Sequence, residues 1–335
     1  MSFEKPQDNQ KRIGEKEIRH QRSKTKWESL GHKIRGGFER FILAGALLTS
    51  SGIAFSALEA RMADLRPEEY IEYIENSGPT VNHDRKKLFG QLEKIQRELG
   101  GAMLAHLKKG AESAKNSKGT LPTTPTVEGF EELGLSNEAV KELWSERFYP
   151  KGTINGNIAH IRLVKASNFS MDFVHGVGKD TAASVTDCDD EITFWENEGL
   201  SVNFKNGTKA FSDIYFSHEL GHINDWVNDN HLTPTERVEF LFDVIEVFKQ
   251  PGSFRNAYIN SQKNQYSKIV EYWGELCHNF FYPAKNNFFK DHEHEINVIK
   301  KWLLRYDPKF DADTAINDRI RERVKIGMLP KTFLE

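Results

Sequence analysis

Residues 211–223 read FSDIYFSHELGHI, an apolar-rich run that delivers His218, Glu219 and His222 in an HExxH arrangement. Four residues of α-helix turn through about 400°, so both imidazoles project from one face on consecutive turns, near enough to share one metal ion. Glu219 falls between them, beside that ion. Zinc binds neutral imidazole nitrogens at about 2.0–2.1 Å and, in a catalytic site, keeps a position open for water whose pKa it lowers. A carboxylate next to that water can take its proton as general base. Gly221 sits inside the helix at a cost of about 1 kcal/mol against alanine, which marks a close backbone approach.

A catalytic zinc takes three protein ligands, so the rest of the chain must supply one more. The longer HExxHxxGxxH pattern fails, because Asp225 and Asn228 hold its glycine and final histidine positions and His231 lies too far along. A glutamate from a second helix is the better candidate. Residues 269–281, IVEYWGELCHNFF, carry apolar residues at mixed three- and four-residue spacing and end before Pro283, which predicts a buried helix. Glu271 and Glu275 stand one turn apart on it and can line one face toward the histidine pair.

HELGH followed by EYWGE resembles the EYFAE-type glutamate zincins, the gluzincin group that includes the anthrax lethal factor catalytic domain. The resemblance covers roughly residues 150–305 and rests on these two short motifs. It implies that Glu271 binds zinc, that Glu275 supports the site, and that the reaction is peptide-bond hydrolysis. Two positions depart from the pattern. Gly274 stands where the family prefers alanine, and Asn264 stands where a tyrosine is usual, so the oxyanion donor is sought in Tyr266 or Tyr258. A thermolysin-like alternative, with the glutamate closer behind HExxH, would draw on Glu246 or Glu239.

Around these motifs the pattern alternates between helix and strand. The HELGH helix is expected to run to about Asn230, which would place Asp225 on the face of His222, where it either orients an imidazole or is a surface carboxylate. Thr233-Pro234 then restarts a helix over 233–250, with Val238, Leu241, Phe242, Ile245 and Phe248 as its apolar stripe. His292 and His294, in the charged run DHEHE, read as solvated. Strands are predicted in NIAHIRLV (157–164), ITFWE (192–196) and LSVNF (200–204), forming a small twisted sheet. The run 191–204 is either an edge able to pair with an extended peptide or a core hairpin.

The 335 residues carry a net charge of −3. With no zinc finger, P-loop or dinucleotide fingerprint, nucleic-acid binding has no support. Cys188 and Cys277 make no disulfide framework. Residues 1–40 are a basic polar tail, and 41–58 form an uncharged run barely long enough to cross a bilayer, diluted by Gly and Ser. Basic residues ahead of it place the N-terminus in the cytoplasm and the catalytic part outside; a secretory signal and a buried helix of a soluble cytoplasmic protein stay open as alternatives. Residues 59–118 read as a helical spacer or prodomain broken at Gly100-Gly101, and 119–126 as a linker. A further short helix is expected over 137–148.

The expectation is therefore a mainly helical α+β, zincin-like domain over 127–335, with a small twisted sheet, preceded by an apolar segment and a helical spacer. The expected cofactor is Zn2+, the partner a peptide or protein substrate, with membrane association through 41–58. The alternatives are a catalytically inactive zincin-like binding protein and a helical membrane-associated scaffold in which HExxH is accidental.

Overall fold

The Pro67 that opens the first helix does so at the position where a missing N–H costs nothing. In the computed structural model, α1 spans Pro67–Ser77 and is followed by α2, Arg85–Leu99, and α3, Ala102–Ser117. Asp84 caps α2 by accepting from the Lys87 N–H, and Gly100 ends it at φ 90°, a backbone conformation that glycine adopts without strain. The structure describes residues 64–77, 84–117, 121–165, 183–185, 190–196, 201–203, 209–211, 214–281, 291–329 and 331. The basic tail 1–40, the apolar run 41–58 and Cys188 lie outside them. No helix among the described residues is long and apolar enough to cross a membrane.

Beyond α3 the chain adds β1 (Thr126–Glu128), a 3-10 turn (Phe130–Leu133) and α4 (Asn137–Leu143), the last shorter than its pattern predicts. Strands β2 (His160–Lys165), β3 (Ala183–Ser184) and β4 (Glu191–Glu196) follow, then the hairpin pair β5 (Ser201–Asn203) and β6 (Lys209–Phe211). Among the described residues of the C-terminal half the helices are α5 (Ile214–Ile223), α6 (Pro234–Phe248), α7 (Ala257–Ser261), α8 (Gln265–Phe281), α9 (Glu293–Trp302) and α10 (Ala312–Lys325). The α+β class is thus mostly helical with a small sheet.

Sheet order is β1-β2-β4-β3, with β1, β2 and β4 parallel and β3 antiparallel to β4. The run 191–204 is therefore not one edge. β4 lies inside the sheet, with His160 opposite Glu191 on one side and Ala183 opposite Phe194 on the other, while β5 pairs with β6 in a second, separate sheet. The edge that approaches α5 is β3, two residues too short and too small to leave an alternating pattern.

Aromatic stacking seats α5 on this sheet. Trp144, fully buried, stacks on Phe194 of β4 at 4.9 Å and on Phe216 of α5 at 4.5 Å. Phe216, Leu220 and Ile223 carry the core side of α5, which leaves His218 and His222 on the side facing α8. There Gly221 meets Gly274: a Cβ at residue 221 would lie 3.0 Å from the Gly274 Cα. Two glycines thus let the helix backbones touch, and the Trp273 indole N–H donates to the Gly221 carbonyl at 2.9 Å.

All described residues belong to one compact unit. The α1–α3 segment packs its Tyr70, Leu92, Ile95 and Leu107 into the same core as α5 and α8, with α2 and α3 lying along α6. Helix α6 starts at the expected Thr233-Pro234, where Thr233 and Glu236 form a capping box.

Candidate metal centre

His218 and His222 point their Nε2 atoms at one spot, 3.0 Å apart, and Glu271 closes the triangle. Its Oε2 is 3.1 Å from His218 Nε2 and 3.5 Å from His222 Nε2. For a tetrahedral zinc with bonds of about 2.0–2.1 Å, neighbouring ligand atoms stand about 3.3–3.4 Å apart, so the three edges fit that ion. Gly274 makes the cradle. A Cβ there would stand 2.9 Å from Cε1 of both histidine rings, so the bare glycine gives the rings room to sit as they do.

His218 and Glu271 are buried, 7% and 3% exposed, and His222 is partly buried. Burial alone would raise the Glu271 pKa, but hydrogen bonds and charge from His218 and His222 outweigh it and hold the carboxylate well below its ordinary range. Burial likewise pulls both histidines down, yet Glu271, joined at His218 by Glu275, lifts them above the usual imidazole value. The donor set is two imidazoles and a carboxylate, which suits zinc.

Glu219 is buried beside the pair, and that burial pushes its carboxyl pKa up despite the nearby histidines. Glu275 holds the other side of His218, its Oε1 3.1 Å from Nδ1. This second partner fixes the ring and directs its Nε2 to the triangle. Among the described residues, His218, Glu275 and His278 form another cluster of metal-binding types, sharing His218 with the first.

The two tyrosine candidates separate. Tyr266 is buried with its ring 6.0 Å from that of His106, and five residues before Glu271 it lies about 140° around α8 from it. Tyr258, on α7, holds its ring edge-on to His218 at 6.1 Å and is 47% exposed, so one side faces the site and the other solvent. Partial burial and the Glu271 and Glu219 carboxylates raise its pKa and keep the hydroxyl protonated. Asn264, where the resemblance led one to expect a tyrosine, caps α8 by accepting from the Ser267 N–H at 2.7 Å.

Glu239 and Glu246, the closer glutamates, pair with Lys87 and Lys94 on the far side of α6 and take no part in the triangle. The HELGH helix ends at Ile223, short of Asn230. Asp225 consequently does not continue the face of His222. Its Oδ1 accepts from the Val227 and Asn228 N–H groups, each at 2.7 Å, and so builds the turn that follows. His222 Nδ1 is buried without a hydrogen-bond partner among the described residues. His294 is exposed as expected, whereas His292 approaches the buried Glu295 at 3.5 Å.

The turn after α5 is itself held firmly. Arg237, fully buried, donates to the carbonyls of Trp226, Val227 and Asp229, and the Asn228 amide donates to the His222 carbonyl at 2.8 Å. Asn256 was not anticipated as part of the site. It stands next to the start of α7, the position of an N-cap, and its amide also donates to Glu275 at 2.7 Å.

Compared with protein-family models, curated proteins and solved structures, the chain gives no match.

Proposed function

We propose that this protein is a zinc-dependent peptidase of the glutamate zincin type, acting on a peptide or protein substrate. The observation that carries the reading is the convergence of His218 Nε2, His222 Nε2 and Glu271 Oε2 on one point, from two helices distant in sequence. A zinc ion bound there supplies Lewis acidity, which polarises a carbonyl and makes water a better acid.

The remaining work falls to the chain. Glu219, with its pKa raised by burial, takes the proton of the attacking water and passes it to the leaving amine as the C–N bond breaks. Tyr258 keeps its hydroxyl proton and donates it in a hydrogen bond to the oxyanion that develops on the substrate. Glu275 holds His218 in one orientation throughout.

Elemental analysis of the purified full-length chain tests the reading. Near-stoichiometric zinc in wild type, lost in H222A and E271A, is the expected result. A folded wild type that takes up no zinc would make the HELGH motif an accident of a helical scaffold.

A further inference from the structure

We propose that Asn256 is a positioning residue that ties the helix carrying Tyr258 to the His218 side of the metal triangle. The inference rests on the peptidase reading, but its core is a mechanical link between α7 and α8. Asn256 Oδ1 accepts from the Ile259 N–H at 2.8 Å and so caps α7. Asn256 Nδ2 donates to Glu275 Oε2 at 2.7 Å, and Glu275 Oε1 in turn lies 3.1 Å from His218 Nδ1. Both ends of one carboxamide are therefore used, and the chemistry fixes which end is which. A flipped amide would set its oxygen against a carboxylate and its NH2 group against a backbone N–H.

Helix α7 has only five residues, Ala257–Ser261, too few to hold itself together without outside contacts. Tyr258 is its second residue and is half in solvent, so packing alone does not fix its ring. The Asn256 amide supplies both requirements. It closes the first turn of α7 and anchors that turn to Glu275, the residue that holds His218. The tyrosine and the histidine are then set by a common carboxylate rather than independently.

Three variants separate this role from simple capping. Serine and aspartate at residue 256 retain a cap acceptor, but the serine hydroxyl is one bond too short to reach Glu275 and aspartate has no donor and adds like-charge repulsion; alanine loses both contacts. The readouts are zinc affinity by chelator competition, and the fluorine NMR resonance of Tyr258 in protein labelled with 3-fluorotyrosine, assigned with Y258F. In N256S and N256D, zinc affinity is expected to fall about 10- to 100-fold, as for other residues that orient a metal ligand, and the Tyr258 resonance to shift. Wild-type affinity and an unshifted resonance in both would overturn the proposal, since a cap alone would then account for Asn256. Should N256D fail to fold by circular dichroism, N256S decides the matter. If wild type takes up no zinc, the peptidase reading fails; the link between Asn256 and Tyr258 then stands or falls on the resonance alone.

Discussion

At Gly274 a missing side chain decides what the neighbouring residues can do. Alanine there would normally favour the helix by about 1 kcal/mol. Here its Cβ would press on both histidine rings at 2.9 Å, so G274A is expected to weaken zinc binding while leaving helix content intact, as chelator competition beside far-UV circular dichroism would reveal. Glu219 belongs to the chemistry alone. E219Q should keep its zinc and lose about 10²- to 10⁴-fold in hydrolysis of any peptide the wild type cleaves; full activity would remove Glu219 from the role of base. Proton competition has a definite sign as well. Since Glu271 and Glu275 lift the metal-free histidines above the ordinary imidazole range, zinc uptake must release protons, and apparent affinity should fall on acidification from a higher pH than for free imidazole. Titrations between about pH 6 and 9 would show this.

At the level of elements, the sequence disclosed those whose signals are local. The HELGH helix, the Glu271 helix and the Thr233-Pro234 helix start each announce themselves by spacing within a dozen or so residues. What escaped depends on partners remote in the chain. Helix α5 stops at Ile223 because the Asn224 and Asn228 amides bond its last carbonyls and Asp225 captures backbone N–H groups, and side chains of those types equally often sit elsewhere. Strand β3 exists only by pairing with β4. Asn256 could be read as a helix cap, but nothing local shows that its other end reaches Glu275. The Arg237 clamp on the post-α5 turn is a further element-level device. R237M would strip the arginine donor from three buried carbonyls, of which, among the described residues, only that of Asp229 also accepts from the Leu232 N–H, and urea unfolding should register a loss of about 3 kcal/mol.

Across the whole molecule, the α1–α3 helices, α6 and the two ligand-bearing helices share one core. Removing residues 1–118 should therefore expose the inner face of α6 and abolish cooperative thermal unfolding, as calorimetry would detect; a shortened chain that melts cooperatively would instead make α1–α3 a detachable segment. The contact between Gly221 and Gly274 bears on timing. His222 and Glu271 sit in different helices with all of α6 between them, and they meet only when those two backbones touch. A ribosome-bound chain that has emitted HELGH but not yet EYWGE holds two of the three ligands and lacks the carboxylate. On the peptidase reading, the cutting machinery comes into being only once α8 docks on α5, and a chain still lacking α8 is no danger to itself or to its neighbours.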